Sequence, residues 1–329
     1  MNNLNIGIIG FGKMGQIREK AIKKKKIGKI IAISDPNQNS EYVNLSHDEI
    51  INHKEIDTIF ICTPNYLNKE LTIKSLKANK NVFCEKPPAF SEEEVNEIIK
   101  EEEFYGKHLM YGFNHRHHDS IKKIKNLIDS NEFGKVLWAR GRYGKSVTKD
   151  FYNDWRSKKK LAGGGILLDQ GIHMLDLFIY LCGDYDVVKS EISNLYWNMD
   201  VEDNAFVILK NSNSGQVASL HSTMTQWRHL FSLEIFLEKG YFVLNGLLTS
   251  SKTYGKEVLS IAKNRSTSPA ATWEDEIKLE FEVDTSWDNE VEYFSNSIQA
   301  NKPIEIGNSY DAKKLMKIIV SFLLNSTVI

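Results

Sequence analysis

Apolar positions in the first 120 residues form short runs separated by helical patterns. The runs are typical of buried strands and lie at 4–9, 27–34, 56–62, 81–84 and 107–111. Helices are predicted between them, one starting at a capping box of Ser91 and Glu94. Strands that alternate with helices indicate a parallel sheet with helices on both faces.

The pattern changes after about residue 120, where strands predominate. Helices are predicted at 118–130, 163–182, 287–300 and around 315–320, and strands at 136–143, 187–197, 203–210, 216–224, 231–238 and 240–244. The segment 250–275, rich in Ser, Thr, Lys and Ala, is predicted to be a long loop. This half is expected to be a largely antiparallel sheet with attached helices.

The length of 329 residues favours two domains, which we place at 1–118 and 119–329. A net charge of −1 gives no general field for nucleic acid or anionic lipid, and the lysine run at 23–26 is expected to be a solvated helix end. Three scattered cysteines offer neither a disulfide framework nor metal-ligand spacing. Without a signal-peptide pattern or an apolar run of roughly 18 residues, a cytoplasmic protein with no membrane or nucleic-acid partner is expected.

A glycine-rich turn follows the first predicted strand, with Gly10, Gly12 and Gly15 leading into a helix. Such glycines permit a tight turn, close approach of a pyrophosphate and close packing of helix on strand. Asp35 lies twenty residues past Gly15, where a carboxylate would bind ribose hydroxyls and repel a 2′-phosphate. Residues 36–39 contain no arginine, so the sequence favours NAD over NADP. The alternative is that the glycines serve only a turn.

A lysine follows the fourth predicted strand, in Glu85-Lys86-Pro87-Pro88. In a doubly wound sheet, ligands bind beyond the carboxyl ends of the strands. An ammonium group at Lys86 could polarise a carbonyl or stabilise an alkoxide there. The alternative is a surface lysine in a turn.

Asp169 and His173 lie in an otherwise apolar segment that follows three glycines at 163–165. On a helix, positions four apart share a face, so the carboxylate and the imidazole would point the same way. Such a pair is suited to proton transfer. A capped core helix with two hydrogen-bonded polar residues is an equally open interpretation.

The histidine-rich segment 113–119 invites a metal interpretation. Adjacent histidines usually diverge, and no further ligand completes a shell, so no metal is predicted. The segment is expected to be a hinge between the domains, with Asn114 or Arg116 reaching the active cleft.

Together these features resemble the glucose–fructose oxidoreductase, inositol dehydrogenase and rhizopine-catabolism (Gfo/Idh/MocA) family. The resemblance extends over nearly the whole chain and rests on five motifs in order, namely Gly10-Phe11-Gly12-Lys13-Met14-Gly15, Asp35-Pro36, Thr63-Pro64-Asn65, Glu85-Lys86-Pro87 and 164–173. It implies an N-terminal Rossmann domain and a C-terminal α/β domain with a large, mostly antiparallel open sheet. That sheet commonly forms the oligomer interface, so a homodimer or homotetramer is expected.

The resemblance also assigns roles to residues. Its catalytic set falls on Lys86, Asp169 and His173. Cofactor contacts fall on residues 10–15, Asp35, Thr63, Pro64, Asn65, Glu85 and Lys86, and substrate contacts on the catalytic residues and the dipeptide Trp155-Arg156. Asn114 and Arg116 of the hinge segment are the other residues expected to contact substrate. One departure is Asn68, where a histidine is common in the family.

We therefore expect an enzyme that transfers a hydride between nicotinamide and a secondary alcohol or ketone carbon of a sugar, cyclitol or sugar derivative. His173 would exchange the hydroxyl proton, Lys86 would stabilise the oxygen, Asp169 would orient the pair, and Asp176 would hold the other imidazole nitrogen. Two alternatives are an NAD-dependent glycosidase of the same family and a non-catalytic NAD-bound sensor. A sensor has no use for an acid/base pair.

Overall fold

The computed structural model describes residues 3–36, 40–249 and 253–325. Residues 37–39, part of the stretch without arginine, and 250–252, at the start of the predicted loop, lie outside the described residues. The helices are α1 (Lys13–Lys25), α2 (His47–Asn52), α3 (Asn68–Lys77), α4 (Glu92–Tyr105), α5 (Asp119–Asp129), α6 (Lys159–Ala162), α7 (Ile172–Cys182), α8 (Ser286–Gln299) and α9 (Ser309–Asn325). The strands are β1 (Leu4–Ile9), β2 (Gly28–Ser34), β3 (Val43–Asn44), β4 (Thr58–Ile61), β5 (Asn81–Cys84), β6 (Leu109–Tyr111), β7 (Val136–Ser146), β8 (Val187–Ser193), β9 (Asn204–Lys210), β10 (Val217–Thr223), β11 (Thr225–Leu237), β12 (Gly240–Asn245), β13 (Glu257–Lys263) and β14 (Ile277–Phe281).

The first compact unit contains residues 1–114 and 286–317. Its sheet has the strand order β3-β2-β1-β4-β5-β6, and all registered pairs are parallel. This is the doubly wound order of dinucleotide-binding domains, in which the order reverses between β1 and β4. The predicted parallel sheet is confirmed, and the carboxyl ends of β1, β2, β4 and β5 carry the candidate cofactor residues.

The chain leaves and rejoins this unit, so the compact units differ from the predicted domains at 1–118 and 119–329. The first unit ends at Asn114 and takes in α8 together with the start of α9. Phe294 of α8 packs edge-on against Phe60 and Phe83 of the sheet, at ring distances of 5.9 and 5.6 Å. This contact joins residues more than 200 positions apart, which no local pattern reveals.

The lysine run at the end of α1 is more than a solvated helix end. Lys24 pairs with Asp288 at 2.5 Å and Lys25 with Glu292 at 2.8 Å, both from α8. Exposed pairs of this kind contribute little stability, but they match the acidic side of α8 to α1.

The second unit contains residues 115–285 and 318–329. Its eight-stranded sheet has the order β14-β13-β12-β11-β7-β10-β9-β8 and is antiparallel except for the pair β7–β10. α7 lies on one face, where Gly141 leaves room for Met174; a Cβ on this glycine would stand 2.4 Å from the methionine side chain. The predicted antiparallel sheet is confirmed.

Two sequence predictions within this unit are wrong. The predicted loop at 250–275 contains β13, whose Leu259 and Ile261 pack inward as the strand pairs with β12 and β14. The predicted helix at 163–182 is not continuous: Gly163, at φ +83°, ends α6, and a π-helical turn at Leu167–Gly171 precedes α7. Both features depend on neighbours distant in sequence.

The predicted capping box of α4 is only half formed. Ser91 Oγ accepts the Glu94 N–H at 3.2 Å, but the Glu94 carboxylate accepts the N–H of Phe90 rather than that of Ser91. The predicted start of α4 is therefore correct, but the hydrogen bond that the Glu94 side chain accepts comes from the residue before Ser91.

One helical stretch, Lys159–Cys182, is long and apolar enough to cross a bilayer by length and composition alone. No apolar run of this length is expected from the sequence, and this stretch qualifies on average hydropathy while it contains Asp169 and Asp176. However, 78% of its most apolar window is buried inside the protein, as in the core helix of a globular unit.

Glu102 of α4 is partly buried, and its Oε2 lies out of solvent with no hydrogen-bond partner among the described residues. Burial raises its pKa from 4.5 to about 7. Since the folded state binds this proton more tightly than the unfolded state, the stability it contributes is complete below pH 4.5 and lost as pH rises through 7. We expect Glu102→Gln to raise the free energy of unfolding at pH 8 by up to about 3 kcal/mol and to have little effect at pH 4.5.

Urea unfolding at several pH values measures this difference. Glu101→Gln, which removes an exposed pair with Lys77, serves as the control and should show no such pH trend. A Glu102→Gln effect of equal size at pH 4.5 and pH 8 would contradict the assignment.

Candidate functional site

The glycine-rich turn has the geometry that a dinucleotide diphosphate requires. Gly10 has φ +89°, and a Cβ there would lie 2.5 Å from the carbonyl oxygen of Cys62. A Cβ on Gly15 would lie 2.2 Å from the Gly10 carbonyl oxygen, whereas the space beside Gly12 is open. α1 has no acidic residue in its first turn, so its positive end is available to a phosphate. The turn therefore fits NAD.

Asp35 lies beside this turn at the end of β2. Its Oδ2 accepts the N–H of Phe11 at 2.7 Å. Asn44, which the sequence analysis did not single out, exchanges two hydrogen bonds with the Asp35 backbone, at 3.0 and 2.8 Å. The carboxylate is thus held beside the glycine-rich turn, and its contact with the ribose stays a prediction.

Asn68, the departure from the family pattern, organises the backbone around Lys86. It is fully buried, and its Nδ2 donates to the carbonyls of Glu85 and Pro87 at 3.1 and 2.8 Å. Its Oδ1 accepts the hydroxyl of Thr63 at 3.2 Å. One side-chain amide therefore links the Thr-Pro-Asn and Glu-Lys-Pro motifs. The sequence does not reveal this link, because the two motifs lie about twenty residues apart.

Glu85 is anchored from its other side by Arg18 of α1. The Arg18 Nε donates to Glu85 Oε1 at 2.7 Å, and its Nη1 donates to Glu290 of α8 at 2.5 Å. The guanidinium also lies 4.3 Å from the centre of the Phe83 ring. Because Arg18 is completely buried, it depends on both carboxylates.

In the second unit, Asp169 lies between two cationic side chains. Lys145 Nζ donates to its Oδ2 at 2.5 Å, and Arg156 Nε lies 3.9 Å from its Oδ1. Arg156 also stacks on Trp155, with its guanidinium 4.3 Å from the ring centre. Lys145 lies near the end of β7, and no motif around it marks it in the sequence as a residue of the site.

His173 is nine-tenths buried, at 7% exposure, in the first turn of α7. Its ring stacks almost parallel on that of His115, with centroids 4.0 Å apart, and His115 Nε2 lies 3.0 Å from the hydroxyl of Tyr143. Two imidazoles so close would repel each other if both were protonated. His115 is therefore a direct neighbour of the candidate base.

Asn114 and Arg116, which are expected to contact substrate, both have hydrogen-bond partners within the protein. Asn114 is buried and donates to Ser286 at 3.2 Å. Arg116 is buried too, and its Nε and Nη2 donate to Asp176 at 2.8 and 2.6 Å. A buried bidentate pair holds the guanidinium in one orientation, and the substrate contacts expected of Asn114 and Arg116 stay predictions. Asp176 thus has Arg116 as a partner, and its expected contact with His173 stays a prediction.

His118, from the same segment, has different neighbours from His115. His118 Nδ1 lies 3.2 Å from Glu257, whose pKa is held below its usual value. Burial opposes that shift, and the interactions with His118 outweigh it together with hydrogen bonds from the Ser120 hydroxyl and the Leu248 N–H. Across residues 3–36, 40–249 and 253–325, no group of three or more His, Cys, Asp or Glu side chains is arranged to hold a metal ion.

Glu202 fixes the segment that carries Asp169. Its carboxylate accepts the N–H groups of Gly165 and Leu167 at 2.7 and 3.2 Å. A Cβ on Gly165 would stand only 2.0 Å from the Glu202 carbonyl oxygen, so the chain passes there only as glycine. This contact explains one of the three glycines that open the segment.

Comparison with known families agrees with this arrangement. Residues 4–113 match the model of an oxidoreductase family with an NAD-binding Rossmann fold, and residues 121–243 match the Gfo/Idh/MocA C-terminal domain. The chain belongs to the Gfo/Idh/MocA family, and its first unit is an NAD-binding Rossmann domain.

Individual curated relatives share a quarter to a third of their aligned residues with this chain. A levoglucosan dehydrogenase of Pseudarthrobacter phenanthrenivorans is 30% identical over 216 residues, which are 59% of this chain and 55% of the relative. A 2,7-anhydro-N-acetylneuraminate hydratase of Escherichia coli is 25% identical over 260 residues, or 76% of this chain and 67% of the relative. The chain thus spans about half the length of the first curated relatives it matches.

A solved structure confirms the fold. A levoglucosan dehydrogenase in complex with NADH and levoglucosan superposes with a TM-score of 0.86. The comparison covers 98% of this chain and 97% of that one at 21% identity.

The position of Asp35 leads to a test of cofactor preference. Asp35→Asn should keep an acceptor for the Phe11 N–H but remove the charge that would repel a 2′-phosphate. We expect NAD to bind about tenfold more weakly, since a hydrogen bond to a charged group is lost, while NADP binding is unchanged or improved. Titration of NADH and NADPH fluorescence measures both, with Asp48→Asn of α2 as a control. Equal losses for the two cofactors would show that the carboxylate does not contact the ribose.

Proposed function

We propose that this chain is an NAD-dependent oxidoreductase acting on a secondary alcohol or ketone carbon of a sugar, cyclitol or sugar derivative. Lys86, Asp169 and His173 are its proposed catalytic residues, and its proposed location is cytoplasmic. The observation that carries the proposal is the placement of Asp169 between Lys145 and Arg156 in the unit that also holds His173. It is supported by a first unit whose glycine-rich turn fits the cofactor.

The surroundings of Asp169 support its ionised form. Two cations within 4 Å favour the carboxylate over the carboxylic acid. An ionised Asp169 can accept hydrogen bonds from substrate hydroxyls and orient a neighbouring acid or base. Substrates rich in hydroxyl groups suit such a site.

The proposed reaction removes a hydride and a proton from a secondary alcohol. When bound, NAD supplies the acceptor for the hydride that leaves the carbinol carbon. His173 takes the proton of the hydroxyl group, and the Lys86 ammonium stabilises the oxygen as its negative charge develops. In reduction, the same residues return the proton. Asn68 contributes by holding the backbone on both sides of Lys86.

A second candidate is an enzyme that oxidises its sugar only transiently and regenerates the cofactor. The relative named as a hydratase, which matches 76% of this chain, favours keeping this possibility. The reaction products distinguish the two candidates: release of free sugar from an aryl glycoside without net NADH formation would indicate the transient reaction. A non-catalytic sensor would give neither product.

His173→Ala tests the assignment of the base. Turnover should fall by about 10²–10⁴, the usual contribution of a positioned acid or base, while NADH binding is retained. A screen of polyols for NAD reduction, followed by fluorescence titration with NADH, provides both readings. His47→Ala, at the start of α2, is the control. Near-normal turnover of the His173 variant would refute the role.

The open face of the large sheet supports a homodimer or homotetramer. Phe206 and Ile208 of β9 are each half exposed, and Trp138 and Phe236 stack on the same face with centroids 4.1 Å apart. Apolar side chains so arranged on one sheet face suit a second copy of the chain.

Replacing both Phe206 and Ile208 by Glu should place like charges opposite each other in such an interface. We expect the particle mass measured by light scattering to fall to that of the monomer. Ile277→Glu, on the other face of edge strand β14, should leave the mass unchanged. A wild-type monomer, or a double variant with the wild-type mass, would contradict the proposal.

A further inference from the structure

Four aromatic side chains form a rigid platform on the second unit: Tyr152, Tyr196, Trp197 and Trp227. Tyr196 meets both tryptophans edge to face, with centroids 5.2 Å from Trp197 and 5.0 Å from Trp227. Trp197 is buried, whereas Trp227 and Tyr196 are 60% and 61% exposed. The perpendicular rings make a corner of two apolar walls rather than a flat patch.

The platform is held in place before any ligand arrives. The buried carboxylate of Asp203 accepts the N–H groups of residues 195, 196 and 197 at 2.8–2.9 Å. Trp197 Nε1 donates to the carbonyl of Met224 at 3.4 Å, and the Tyr152 hydroxyl donates to the carbonyl of Trp197. A preformed surface loses little conformational entropy on binding.

Trp227 occupies an unusual backbone conformation. Its φ is +56°, a left-handed value that is rare for a bulky residue, and it lies where the β11–β7 pairing is interrupted between Thr225 and Leu230. Burial of the side chain does not offset the free-energy cost of this backbone conformation, because most of the indole is exposed. Backbone strain at an exposed aromatic residue indicates a functional requirement.

Contacts within the unit connect the platform to Asp169. Trp197 shares a hydrophobic cluster with Phe151, and Lys145 Nζ lies 4.7 Å from the centre of the Phe151 ring while it bonds Asp169. In addition, Glu202 binds the Asp169 segment while its neighbour Asp203 holds the platform loop. The two features are therefore built on one rigid support.

We propose that the platform binds a second sugar ring, so that the substrate is a glycoside larger than one monosaccharide. The apolar C–H face of a pyranose would stack on Trp227 against the wall of Tyr196, leaving its hydroxyls at the rim. This inference rests on the proposed function, since it assigns the first ring to Asp169 and His173.

Direct binding tests the platform without requiring turnover. Isothermal titration with NADH present compares cellobiose, maltose and lactose with glucose and galactose. We expect at least one disaccharide to bind about tenfold more tightly than its monosaccharides. Trp227→Ala should abolish that preference, and Trp227→Phe should retain part of it. Trp273→Ala, which removes an 82% exposed tryptophan of the same unit, should have no effect.

The outcomes separate this inference from the proposed function. Disaccharide binding that depends on Trp227 but gives no NAD reduction would reject the redox reaction and keep the platform. Oxidation of monosaccharides with no disaccharide preference would reject the platform alone. A thermal melt checks that the variants fold. A change in particle mass for Trp227→Ala, with sugar binding unaltered, would identify the surface as an interface between copies and overturn the inference.

Discussion

A buried charge, the guanidinium of Arg18, is the constraint on which the first unit depends. Removing a charge from water is costly unless partners replace the lost solvation, so Arg18 must keep both Glu85 and Glu290. These three residues come from α1, from the segment just before Lys86 and from α8. A single ion cluster therefore ties the dinucleotide turn, the candidate catalytic lysine and a helix from far along the chain into one arrangement.

Two adjacent carboxylates have a comparable effect in the second unit. Glu202 is partly buried, and loss of solvent around its carboxyl raises the pKa of that group against the hydrogen bonds that favour its charged form. It binds the backbone before Asp169, and Asp203 binds the loop of the aromatic platform. Backbone N–H groups, rather than cations, satisfy these carboxylates. A short stretch of chain thus sets the position of a candidate catalytic carboxylate and of a candidate sugar-binding surface together.

Some residues of the candidate site can be recognised from sequence patterns, whereas their neighbours are known only from the fold. Asp169 and His173 could be selected from the sequence because a carboxylate and an imidazole lie four residues apart in an otherwise apolar segment. Their neighbours Lys145 and His115 could not, because each comes from another element and is brought there by the fold. Arg116 shows the opposite case: a cation expected to meet substrate is paired inside the unit with Asp176.

The sequence alone determined the β1–turn–α1 unit with Gly10, Gly12 and Asp35, the alternation of strands and helices, and the antiparallel character of the second sheet. These depend on local periodicity and on steric limits at single residues. Only the tertiary structure decided that α8 belongs to the first unit, that β13 lies in the supposed loop, that a π-helical turn carries Asp169, and that the aromatic platform exists. The physical reason is that each of these is stabilised by contacts between residues far apart in the chain, and such contacts leave no periodic trace in the sequence.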